Sequence, residues 1–153
     1  MLENELQPTA VTEDWWITVH SPDQRPTVKG DTGKWLVFVP VRYVDHYWQL
    51  VRQAVMDGKL GPTAKVATAR PNHPHQSDPT RRPIVVYTAD AADEDDVRRV
   101  LTGLRTLGIS WRITYKTDAD TTAGVYGCNA ATYISPSDSV QLTRRKQRPS
   151  HAA

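Results

Sequence analysis

Apolar and polar positions along this chain change period several times, and each change marks an element. Trp15-Trp16-Ile17-Thr18-Val19-His20 is rich in β-formers and predicts a short strand with its two rings on opposite faces. Pro22, Pro26, Gly30 and Gly33 make Ser21 to Gly33 a loop. Lys34-Trp35-Leu36-Val37-Phe38-Val39 predicts a second strand, closed by Pro40, which has no N–H for a ladder. From Val41 the period becomes helical, with Val44, Tyr47, Trp48, Val51 and Val55 on one stripe and Asp45, Gln49, Arg52 and Asp57 opposite. Gly58 stops that helix, and Gly61-Pro62 prevents a restart. Lys65 to Arg70 alternates as a strand, and Pro71 to Arg82 is a long basic loop without an apolar anchor. Ile84 to Thr88 predicts a central strand. Asp90 or Asp93 then caps a helix whose stripe is Val97, Val100, Leu101, Leu104 and Leu107 and whose stop is Gly108. Trp111 to Lys116 is the last clear strand, followed by a polar turn region from Thr117 to Gly127.

From Lys34 onward the order is strand, helix, strand, strand, helix, strand. Each helix has a single apolar stripe, so both must cover a common surface. Strands 65–70 and 84–88 follow one another and pair as an antiparallel hairpin. The expected fold class is therefore α+β: one antiparallel sheet with two helices packed on one face and the other face open. The polar, acidic residues 1–13 predict a flexible arm, 14–134 one domain, and 135–153 a disordered basic tail. A length of 153 residues suits one such domain.

Composition narrows the function classes. The net charge of +2 is too small to argue for nucleic acid from the total, although Arg144, Arg145, Lys146 and Arg148 concentrate positive charge in the tail. A single cysteine, Cys128, excludes an internal disulfide framework and a cysteine-built zinc site. The first residues lack the pattern of a signal peptide, and no apolar run reaches bilayer length, so the expected setting is the cytoplasm, with no membrane partner. His73-Pro74-His75 has no third ligand nearby, and Asp93 to Asp96 lacks the alternation of a calcium loop; no metal or other cofactor is expected. The oligomeric state is not legible.

Candidate chemistry gathers on cations and rings. Lys65, Arg70, Arg81, Arg82 and Lys116 are placed to converge on the open face, where guanidinium and ammonium groups held near one point bind phosphate or carboxylate. The competing reading of each is a solvated rim residue. Lys65, in mid-strand and near arginines, is expected to lose proton affinity and to be suited to a base. Five tryptophans and six tyrosines add stacking surfaces, with core packing as the alternative for each.

Four blocks carry a family resemblance: Gly33 to Val39, Gly58 to Gly61 with Ala64 to Asn72, Val86 to Asp90, and Tyr115 to Tyr126. Together they resemble a phosphothreonine lyase domain family, whose members are similar in fold to the cap-binding translation initiation factor. That resemblance implies two activities. In a metal-free phosphate-eliminating lyase, a strand lysine is the base, matched by Lys65. Lys116 stands where the family has an arginine, beside Tyr115. The family's acid histidine has no counterpart between Trp35 and Val39, which leaves the role to His73 or His75. Lys65 and Lys116 are then the catalytic pair, and Arg70, Asn72, His73, Arg82, Tyr87, Tyr115, Thr117, Asp118 and Trp35 the ligand contacts. The expected ligand is a phosphorylated peptide or small molecule. The alternative implied by the initiation-factor likeness is a non-catalytic nucleotide or RNA cap-like binder, using Trp15, Trp16, Trp35 or Trp48 as stacking rings.

Overall fold

The computed structural model describes residues 6–25, 32–74, 78–118 and 132–144. Seven strands form one sheet: β1 (Trp16–His20), β2 (Gly33–Pro40), β3 (Thr63–Ala67), β4 (Arg81–Thr88), β5 (Ile113–Thr117), β6 (Tyr133–Ser135) and β7 (Thr143–Arg144). Their order across the sheet is β1-β3-β4-β2-β5-β6-β7, and every pairing is antiparallel. Two helices, α1 (Val41–Met56) and α2 (Glu94–Thr106), pack on one face, as the two apolar stripes require. Asp93 caps α2 by accepting from the Asp96 amide at 3.1 Å. No helix among the described residues is long and apolar enough to cross a membrane.

Strand periodicity divides the side chains cleanly. Trp35, Val37 and Val39 of β2, Val86 of β4 and Tyr115 of β5 are all completely buried on the helix side, where Trp35 donates its indole N–H to the Val97 carbonyl of α2 at 3.1 Å. Burial of this kind stabilises each large side chain by roughly 1.5–3 kcal/mol relative to exposure. Lys34, Leu36 and Phe38 consequently emerge on the opposite face.

Three boundaries differ from expectation. Residues 6–13 are not loose: Pro8–Ala10 form a 3-10 turn, Pro8 is buried, and the carbonyls of Pro8 and Val11 accept from the Ala69 amide at 3.1 and 2.9 Å. Strand β3 ends at Ala67 rather than Arg70, because Thr68 and Ala69 turn their amides to Trp15, Pro8 and Val11. Ser135 does not begin a tail, since β6 and β7 pair there and Arg105 of α2 binds the carbonyls of Pro136 and Ser139 at 2.8 and 2.9 Å. Residues 145–153, the rest of the expected tail, and Cys128 lie outside the described residues.

Candidate functional site

The face without helices carries an unusual density of charge for a sheet surface. In the register, Lys34 stands directly opposite both Tyr87 on β4 and Lys116 on β5, and Lys65 stands opposite Val85, two residues from Tyr87. Directly opposed residues share a face, so Lys34, Lys65, Tyr87 and Lys116 all project to this side. Two lysines facing each other across strands repel. Asp118 relieves part of that repulsion by pairing with Lys34 at 2.9 Å and accepting from the Thr32 hydroxyl. Among the described residues, register and ion pairing assign Lys34, Lys65, Lys116 and Asp118 to this face.

Rings are interleaved with those cations. The Lys65 ammonium lies 4.2 Å from the Trp16 ring centre and 5.8 Å from that of Tyr87, while Lys34 approaches the same Tyr87 ring at 5.7 Å. His73 abuts Trp16 edge-on at 4.6 Å and Trp15 at 5.3 Å, and the Arg70 guanidinium lies 3.9 Å over Trp15. A continuous string of contacts therefore runs from Arg70 through Trp15, His73, Trp16, Lys65, Tyr87 and Lys34 to Asp118. It spans the sheet from β1 to the end of β5.

The electrostatics follow from this crowding. Partial burial lowers the Lys65 proton affinity, the nearby Lys34 charge lowers it further, and Asp118 opposes both. Burial raises the Tyr87 phenol, with the Asp118 charge adding to the effect. A half-buried lysine of weakened proton affinity gains most when an anion arrives, because the anion restores the charged form.

Of the residues expected to serve a ligand, the fold brings Lys65, Tyr87, Lys116 and Asp118 together. Lys116 is only 7% exposed. Arg70 joins through Trp15 and also donates to the Glu13 carbonyl at 2.9 Å. Two expectations are overturned by parity: Trp35 and Tyr115 are 0% exposed on the helix side, Tyr115 hydrogen-bonds the Thr88 hydroxyl at 2.6 Å, and neither meets a ligand on the open face. Arg82 likewise belongs to the helix-side register, opposite Val39, and turns its guanidinium to the Pro79 carbonyl at 3.1 Å. Thr117, opposite Gly33, shares that parity, and Asn72 occupies an exposed turn with φ 62°. His73 is 5% exposed and engages the Trp15 carbonyl through Nε2 at 3.1 Å, so it supports the two indoles and is not poised as an acid. His75 lies outside the described residues. Trp48, another stacking candidate, is buried beneath the sheet.

Lys34 and the pairing of Trp16 with Lys65 were not singled out in the sequence. The signal for Lys34 was present, since a buried Trp35 obliges its neighbour to face the other way. Trp16 depended on β1 lying beside β3, which no local pattern states.

Solved structures with the same architecture include eIF4E proteins, and this defines the fold class. A schistosome eIF4E complexed with m7GpppA and 4E-BP matches with a TM-score of 0.63 at 14% identity, over 84% of this chain and 74% of that one. C. elegans eIF4E-3 with the 4E-binding protein Mextli and a cap analog gives 0.59 at 23% identity, over 80% and 73%. Ascaris suum eIF4E-3 with m7G cap gives 0.53 at 21% identity, over 76% and 69%. At such identities the likeness is one of fold. The chain itself belongs to the family described as Basophilic leukemia-expressed protein Bles03, whose model matches residues 23–124. The expected likeness to the cap-binding fold is thus met, whereas the expected phosphothreonine lyase family is not: the family shown is Bles03, and no lyase stands among these matches.

Proposed function

We propose that this protein binds a phosphate-bearing nucleotide, free or within RNA, on the open face of its sheet and holds it without chemistry. The observation that carries the reading is the string of alternating cations and rings between Arg70 and Lys34. Proteins that bind single-stranded nucleic acid combine cations along the backbone with rings on which bases stack, each stacked base contributing roughly 1–3 kcal/mol. Lys34 and Lys116, directly opposed in the register, add two further cationic side chains on the same face. Further support is that structural neighbours bind caps, as their descriptions state.

The ligand class follows from what covers the rings. Lys65 sits over Trp16 and Arg70 over Trp15, so a cationic methylated base would meet like charge at both indoles. Unmethylated nucleotides are therefore favoured over methylated caps. Tryptophan fluorescence on titration with GTP, m7GTP and a short single-stranded RNA tests this at low and moderate salt. Quenching by GTP and RNA that weakens as salt rises, and that Lys65→Ala loosens about tenfold, agrees with the proposal. Unchanged fluorescence with every nucleotide overturns it.

Phosphate elimination is the second reading, favoured by one observation: the weakened proton affinity of Lys65, which suits a base. Among the described residues it has no loop histidine placed as an acid, because His73 is engaged by the Trp15 carbonyl and the Trp16 ring. Release of inorganic phosphate from a phosphothreonine peptide, lost in Lys65→Ala, would move the assignment to a lyase.

A further inference from the structure

Away from the lysine face, the outer edge of β1 forms the floor of a second surface. A groove of about 820 Å³ runs along it, lined by every residue of the strand from Trp16 to His20. Consecutive strand residues point to opposite faces, so a groove that touches all of them follows the strand's edge. One wall is the α1 stripe of Trp48, Arg52 and Met56, and the other end is closed by residues 10–14.

The edge is open for hydrogen bonding. Ser21 donates to the Pro62 carbonyl at 2.8 Å, and the Trp15 carbonyl accepts from Thr68 at 3.1 Å, so odd-numbered residues of β1 pair inward to β3. The amides and carbonyls of Thr18 and His20 must then point outward, where no backbone hydrogen bond meets them among the described residues. Natural sheets guard such edges with lysine, proline, bulges or very short strands. β1 has none of these within Trp-Ile-Thr-Val-His, whereas the opposite edge, β7, is two residues long and carries Arg144 paired with Glu94.

We propose that β1 receives an extended peptide from a partner protein, which adds to the sheet as an eighth strand. An edge set between a helix and a segment of chain admits one extended backbone, but the flanking wall of residues 10–14 stands in the way of a whole sheet from a second copy. Main-chain hydrogen bonds to Thr18 and His20 would supply affinity, and alternate side chains specificity. Side chains on the α1 side would be apolar, to meet the exposed parts of Ile17 and Met56, and those on the other side polar, beside Thr18 and His20. Arg52 stands on the α1 side and Glu13 and Asp14 on the side of residues 10–14, so a peptide with a carboxylate toward α1 and a cation toward Glu13 and Asp14 would complement both.

The test is selection of a phage-displayed dodecapeptide library on the full chain, followed by synthesis of the strongest binder. We expect an alternating apolar and polar consensus, amide exchange at Thr18 and His20 slowed about tenfold or more on saturation, and about tenfold weaker binding when every second peptide amide is N-methylated in one of the two phases. Thr18→Pro should abolish binding, and because proline strains a strand, Arg52→Glu provides a surface change that weakens binding without touching backbone. Three results overturn the proposal: no selected peptide, a selected peptide that leaves exchange at Thr18 and His20 unchanged, or protection of those amides before any peptide is added. The last would assign the edge to a second copy or to this chain's own residues.

Discussion

Lys65 concentrates the physical tension of the site in one side chain. Its ammonium is partly stripped of water and lies near Lys34, with Asp118 in partial compensation, so it releases its proton below the ordinary lysine value of 10.5. The sign of the stability effect follows directly. Between the lowered folded value and 10.5 the unfolded chain binds more protons, so the unliganded fold gains stability as pH rises through that window. Binding runs the other way, since a phosphate needs the charged form, and nucleotide affinity should fall over the same range. Lys65→Arg keeps its charge throughout and should flatten the affinity profile, while Lys65→Met should flatten the stability profile. Urea midpoints and nucleotide titrations across the alkaline range check both. An affinity profile of the same shape in Lys65→Arg would move the titrating group elsewhere.

Among the elements, the C-terminal strands show most clearly what local pattern misses. β6 and β7 are short, yet β6 is anchored by the buried Tyr133 and, with the turn that follows it, by Arg105 of α2. Its guanidinium donates to the Ile109, Trp111, Pro136 and Ser139 carbonyls at 2.6–2.9 Å and to the Ser135 hydroxyl at 3.0 Å. Arg105→Ala leaves those carbonyls without a donor and should cost roughly 2–4 kcal/mol, seen as a lower urea midpoint and faster amide exchange across Tyr133–Ser135. Lysine at that position cannot fork to several acceptors and should recover little of the loss. In the sequence, Arg105 was only a charge off the α2 stripe; its partners Ser135, Pro136 and Ser139 lie 30–34 residues away and no period marks them. The same limit applies to Pro8–Ala10, whose turn is fixed by Ala69 and by the Asp45 carboxylate accepting from the Thr9 amide at 3.0 Å. Helices α1 and α2 and strands β2 and β4 were legible because many apolar residues repeat at one period, and burial then enforces that period.

For the molecule as a whole, the site was readable as far as strand parity was applied. Lys65, Tyr87 and Lys116 reach one face because register and alternation agree, and the same alternation turns Tyr115, the neighbour of Lys116, to the helices. Trp35 and Arg82 fail as ligand contacts for the same reason. What alternation could not supply was the neighbour relation of β1 to β3, and with it the Trp16, Lys65 and His73 contacts. A ligand bound to this assembled face, and not to the unfolded chain, must stabilise the entire fold. At a concentration about 100 times its dissociation constant it contributes about 2.7 kcal/mol. For a chain of this size each kcal/mol raises Tm by roughly 2–4 °C, so GTP at that excess should shift the thermal midpoint by about 5–11 °C. Added salt should shrink the shift, inorganic phosphate should give a smaller one, and Lys34→Ala combined with Lys116→Ala should remove most of it. If the double variant shows the full GTP shift, the nucleotide binds elsewhere, and the opposed lysines owe their place in the sheet to something other than an anion.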